Sequence, residues 1–123
     1  MRILVVEDEV LIRMIIVETL EEDGFETLEA ATGNEALRLI DDPDDVGLLV
    51  TDLHLPGPSG VAVAQHIRAL HPSVPVLFIS ARPDLLKSLE APIPYRSLTK
   101  PFTMEQLSIA VEELLGASDQ HAH

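Results

Sequence analysis

Five times along this chain a short apolar run gives way to a helical pattern, and that alternation limits the fold more than any other feature. The runs fall near 2–6, 26–30, 47–51, 74–79 and 96–98. Three of them, Ile3-Leu4-Val5-Val6, Leu48-Leu49-Val50 and Val76-Leu77-Phe78-Ile79, carry no polar residue. A strand reads this way when both of its faces are covered, as in a parallel sheet. The helical patterns lie near 10–22, from Thr32 to about 40, 60–70, 84–90, and from Thr103 onward. Asp23-Gly24 stops the first. Thr32 with Glu35, and Thr103 with Gln106, have the spacing of capping boxes. Ala64, Ile67 and Leu70 mark the expected inner face of the third helix, and Met104, Leu107, Val111 and Leu114 that of the last. Strands separated by helices require right-handed crossovers, hence one parallel sheet covered on both sides.

The chain has 123 residues, enough for one domain, expected over 1–117, with 118–123 as a disordered tail. His121 and His123 belong to that tail rather than to a metal site. There is no cysteine, no stretch of about 18 apolar residues and no signal peptide pattern, so a cytoplasmic protein is expected. The net charge of −13, with no cluster of Lys and Arg, excludes a face that could neutralise nucleic-acid phosphates.

The ends of the apolar runs carry the chemistry. The first stops at Glu7-Asp8, the third at Thr51-Asp52, the fourth at Ser80-Ala81 and the fifth at Lys100-Pro101. Ligands of an open parallel sheet gather beyond the carboxyl ends of its strands, so these residues should converge. Three carboxylates together repel one another unless a cation joins them. Mg²⁺, or Mn²⁺, suits such oxygen donors. Asp8 and Asp52 can ligate directly and Glu7 through a water, which leaves Asp52 to act as an in-line nucleophile toward a phosphoryl group. Lys100 and Ser80 would then serve the phosphoryl oxygens. A nucleotide binder should instead carry a glycine-rich phosphate loop after the first strand, where this chain has Glu7-Asp8-Glu9-Val10. Glu9 is read apart from the cluster, as an anion favoured at a helix start.

Together, Val5-Val6-Glu7-Asp8-Glu9, Thr51-Asp52-Leu53 with Pro56-Gly57 and Ser59-Gly60, Ser80-Ala81 and Lys100-Pro101-Phe102 resemble the receiver domain of bacterial two-component response regulators, over about residues 2–115. The resemblance implies a flavodoxin-like, doubly wound (βα)5 fold with a five-stranded parallel sheet in the order 2-1-3-4-5. It implies that Asp52 is the phosphoacceptor, that Glu7 and Asp8 are the acid pair, and that the backbone carbonyl of His54 is a further metal ligand. It implies a cis peptide at Lys100-Pro101, and a histidine kinase or histidine phosphotransfer protein as the donor. It further implies that His54 and Arg82 tune how water reaches the acyl phosphate. Output should be a protein contact with a downstream partner, without turnover of an outside substrate. A scaffold working without phosphorylation, or a module of a longer hybrid kinase, are the alternatives. The start at Met1 and the end soon after the last helix favour an independent protein.

The sequence departs from the family at two places. The aromatic residue that many receivers carry on the last strand, coupled to the hydroxyl at Ser80, is replaced by Ser97. Tyr95 lies two residues earlier on the same pleat side, roughly 6–7 Å away. The first helix is apolar around nearly its whole circumference, so a second surface besides the sheet should cover it. Related receivers dock their donors there. The expected docking patch is Ile12, Ile15 and Ile16 with Pro101, with self-association as a homodimer the other use of the patch.

Overall fold

The computed structural model describes residues 2–41, 46–81 and 95–120. The strands are β1 (Arg2–Val6), β2 (Glu26–Ala30), β3 (Val46–Asp52), β4 (Val76–Ser80) and β5 (Tyr95–Thr99). The helices are α1 (Val10–Glu22), α2 (Gly33–Asp41), α3 (Gly60–Leu70) and α4 (Met104–Gln120). All strand pairs are parallel, in the order β2-β1-β3-β4-β5. The helix expected over 84–90, with Arg82, lies outside the described residues.

Local chemistry sets the ends of these elements. Gly24 takes a φ of +95°, and Phe25 N–H donates to Leu20 O at 3.0 Å, closing the last turn of α1. Thr32 Oγ1 accepts from Glu35 N–H at 3.1 Å, while the Glu35 carboxylate reaches back to Ala31 N–H at 3.2 Å. At α4 the reciprocal box is complete: Thr103 Oγ1 accepts from Gln106 N–H at 3.0 Å, and Gln106 Oε1 from Thr103 N–H at 2.8 Å. Helix α4 runs through Gln120, so its backbone stays helical over the first residues of the span read as a tail.

Alternate residues of each strand feed two cores. Leu4, Val6, Leu49, Val76 and Phe78 pack toward α2 and α3. Ile3, Val5, Leu48, Val50, Leu77 and Ile79 pack toward α1 and α4. Two expected core positions are corrected. Leu70 and Met104 are 49% and 58% exposed. Leu70 is the last residue of α3 and Met104 the first of α4, so both helical stripes run one residue past the sheet that covers them.

The mixed apolar surface of α1 also resolves. Ile16, Val17 and Leu20 are buried against the sheet and α4, whereas Val10, Leu11, Met14 and Ile15 are exposed. Ile16 is therefore a core residue, 0% exposed, and is removed from the docking patch. Ile12 is partly buried against the same core, and Ile15 remains open.

Candidate functional site

Pleat parity explains why the site residues meet. Ile3 and Val5, Leu48 and Val50, and Leu98 all belong to the core under α1 and α4. Glu7, Asp52 and Lys100 each lie two residues beyond the last of these on their own strand, and so share that face. Strand register completes the convergence: Val6 pairs with Thr51, which sets Glu7 beside Asp52 one step on. Ser80 follows Val76 and Phe78 and has the opposite parity.

Glu7, Asp52 and Ser80 are buried polar residues; Asp8 is exposed at the mouth of the site. Lys100 Nζ lies 2.7 Å from Asp52 Oδ2 and 2.7 Å from Glu7 Oε1, with Glu9 Oε1 farther off at 3.9 Å. Glu9 is the residue before α1 but makes no side-chain capping bond, so its charge leans toward Lys100 as well as the helix end. Asp52 Oδ1 accepts from His54 N–H at 3.0 Å. Both Asp52 oxygens are thus engaged, whereas of the Glu7 oxygens only Oε1 has a donor nearby, the Lys100 ammonium, and Oε2 has none. Burial pushes the Glu7 carboxyl from its ordinary 4.5 up to about 7, with Lys100 opposing the rise and Asp52 adding to it. Burial pulls the Lys100 ammonium down, but its bonds to Asp52 and Glu7 outweigh this and raise it.

Oxygens of Glu7, Asp8 and Asp52 lie within 4.8 Å of one another. That cluster, with buried Glu7 oxygens that have no donor but the Lys100 ammonium beside Oε1, fits a hard cation with oxygen ligands.

The backbone around Asp52 is held tightly. Thr51 Oγ1 donates to Asp52 O at 3.0 Å, Leu53 N–H to Ile79 O at 3.1 Å, and Gly60 N–H to Leu53 O at 3.0 Å. A Cβ on Gly60 would run into the Asp52 carbonyl, so glycine is required for the start of α3 to come this close. Lys100 N–H donates to Ser80 O at 3.0 Å, joining the ends of β4 and β5, and the Lys100-Pro101 peptide is cis as expected.

Other expected residues fall around this centre. His54 is exposed beside Asp52. Ser97 is exposed and pairs in register with Phe78. Tyr95 is partly exposed and meets Phe78 edge-on, with ring centroids 5.7 Å apart. Phe78, part of the apolar run of β4, is thus the cross-strand neighbour of the position where Ser97 lacks bulk. Pro101 joins Ile12, Ile15, Lys100 and Phe102 in lining an apolar groove of about 320 Å³ beside the acid cluster.

The family model for the response regulator receiver domain matches residues 3–112. The chain belongs to that family. The transcriptional regulatory protein YrkP of Bacillus subtilis is 40% identical over 112 residues, which are 89% of this chain and 47% of YrkP. The chemotaxis protein CheY1 of Helicobacter pylori is 32% identical over 97% of this chain and 100% of its own length. A response regulator receiver protein from Sinorhizobium medicae superposes with a TM-score of 0.89 at 29% identity, covering 95% of each chain. The receiver spans half or less of the first curated relatives it matches, and all of CheY1. The sheet order expected from the sequence is the observed one. Among the described residues, no helix is long and apolar enough to cross a membrane.

Proposed function

We propose that this receiver takes a phosphoryl group onto Asp52 from a phosphohistidine of a histidine kinase or phosphotransfer protein, with Mg²⁺ held by Asp8, Asp52, the His54 carbonyl and, through water, Glu7. The observation that carries the reading is a buried Asp52 carboxylate whose two oxygens are fixed by His54 N–H and Lys100, beside two further acids. When bound, the cation would neutralise the acids and the charge of the incoming phosphoryl group.

In the transfer, an Asp52 carboxylate oxygen forms the new P–O bond while the P–N bond of the donor breaks. The bonding electron pair stays with the departing imidazole nitrogen. His54 N–H and Lys100 hold the carboxylate in place, so little orientation remains to be found at the moment of reaction. Lys100 also carries the positive charge nearest Asp52, and its ammonium is the group that passes from the carboxylate oxygen to the phosphoryl oxygens. Ser80, buried at the end of the neighbouring strand with the opposite pleat parity, would turn its hydroxyl toward the phosphorylated form. Water later cleaves the acyl phosphate; His54 and Arg82 set its access. The cycle resets this protein and consumes no outside substrate beyond the phosphodonor.

The groove between α1 and the Lys100-Pro101-Phe102 turn, with Ile12, Ile15 and Pro101 on its walls, receives the donor's helices. Leu11 and Met14 are also exposed on α1. With serine at 97, the conformational response reaches β5 through Phe78 and Tyr95. Output is a contact with another protein, in the cytoplasm, or a homodimer.

Intact mass after incubation with acetyl phosphate and Mg²⁺ tests the assignment. Wild type should gain one phosphoryl group; Asp52→Asn, and wild type with chelator, should gain none. Uptake that persists in Asp52→Asn would move the acceptor elsewhere. No uptake by wild type, even from a phosphohistidine protein, would end the phosphoacceptor reading.

A further inference from the structure

Arg13 lies on the first turns of α1, outside the three carboxylates and the lysine that make the site. It nevertheless touches the site's frame. Its Nη1 donates to the backbone carbonyl of Glu7 at 2.8 Å. Its Nε donates to Glu29 Oε1 on edge strand β2 at 3.2 Å. The Glu7 N–H donates to Ala30 O at 3.1 Å. Both backbone polar groups of Glu7 are therefore satisfied, one by the β2 chain end and one by Arg13. The side chain of Arg13 is mostly buried, at 17% exposure, while that of Glu29 is half exposed.

The peptide that Arg13 holds joins Glu7 to Asp8. Fixing its carbonyl fixes the direction in which both acid side chains leave the backbone. Guanidinium suits the task, because its planar fork serves two acceptors at once and never loses its charge. It also supplies this carbonyl with a donor that a helix start cannot: α1 begins at Val10, and its first backbone bond runs from Arg13 N–H to Glu9 O at 2.9 Å.

We infer that Arg13 is a positioning residue for the acid pair, orienting Glu7 and Asp8 for the cation through the Glu7 carbonyl. The inference rests on the metal-dependent phosphoacceptor reading above. Groups that orient metal ligands change affinity by about 10- to 100-fold when removed.

The test is Mg²⁺ titration of the folded full chain by calorimetry, with urea melts of each variant without metal. Arg13→Gln should bind Mg²⁺ about 10-fold more weakly than wild type. Arg13→Lys, which keeps one donor, should recover part of that loss. Glu29→Gln removes only the exposed arm and should change affinity less than about threefold. Ser108→Ala is the control. It deletes the 2.7 Å bond from Ser108 Oγ to Asp23 Oδ2 that ties α4 to the end of α1, and leaves Glu7 untouched. Its Mg²⁺ affinity should equal that of wild type. Folded Arg13→Gln with wild-type affinity would overturn the inference, as would Ser108→Ala weakened as much as Arg13→Gln. Wild type without Mg²⁺ affinity would overturn the parent reading, and this inference with it.

Discussion

Replacing Glu7 by glutamine should make the metal-free protein more stable at pH 8 and remove part of its pH dependence. The Glu7 carboxyl is buried and displaced from 4.5 to about 7, chiefly by loss of water. Folding then favours the protonated acid. Its stabilising contribution is fully present below pH 4.5 and is lost as pH rises through about 7. At about 1.4 kcal/mol per pH unit, that displacement is worth roughly 3 kcal/mol between the two limits. Glutamine resembles the protonated acid in shape and carries no charge to desolvate. It gives up the 2.7 Å ion pair with Lys100, but Lys100 keeps Asp52 at the same distance. The assay is urea unfolding of wild type and Glu7→Gln in EDTA at pH 5, 6, 7 and 8. Comparing the two chains cancels the other titrating acids of a molecule with net charge −13. The stability difference should favour glutamine progressively up to pH 8, by about 2–3 kcal/mol overall. Saturating Mg²⁺ should favour wild type instead, because the cation stabilises the ionised acid. A difference that stays flat from pH 5 to 8, or Glu7→Gln less stable than wild type at pH 8 in EDTA, would refute the argument that burial dominates Glu7.

Lys100→Met leaves two buried carboxylates without their counter-ion, and should cost about 3 kcal/mol at pH 8 in EDTA and less at saturating Mg²⁺; a loss below about 0.5 kcal/mol in EDTA would mean that these ion bonds do not offset burial. Ile15→Glu places a charge on the exposed side of α1, so the melting temperature should hold while phosphotransfer from a histidine protein slows about tenfold or more. Unchanged transfer kinetics would exclude docking at this groove.

Residues whose chemistry and chain position coincide were readable from the sequence. Glu7, Asp52 and Lys100 each end an apolar run, and a parallel sheet gathers such ends at one edge. The limits of α1 and β2 also followed from local signals, since Gly24 and the polar flanks act within a few residues. What failed was the phase of apolar helices. On α1 almost every side is apolar, so periodicity could not separate buried Ile16 from exposed Ile15. Leu70 and Met104 keep the right spacing but sit at helix ends, where the described residues leave about half of each exposed. Contacts between distant segments left no local trace. Gly60 under the Asp52 carbonyl, Phe78 beside Ser97, and Arg13 on the Glu7 carbonyl each join residues that the sequence sets apart or gives no reason to pair.

The shared pleat side of Glu7, Asp52 and Lys100 bears on how such a chain can change in length. Loss or gain of one residue inside β1, β3 or β5 would turn the terminal charged group to the opposite side of the sheet, however well the new sequence suited a strand. Substitutions along these strands can be absorbed by repacking; a shift in count close to the site cannot, although one between Arg2 and Ile3, at the far end of β1 and β3, is absorbed. Insertions and deletions should therefore be tolerated only before the site-proximal end of each strand, where the chain can regain register before it reaches the site. The strands tolerate variety in apolar composition, but the last residues before the site keep their count.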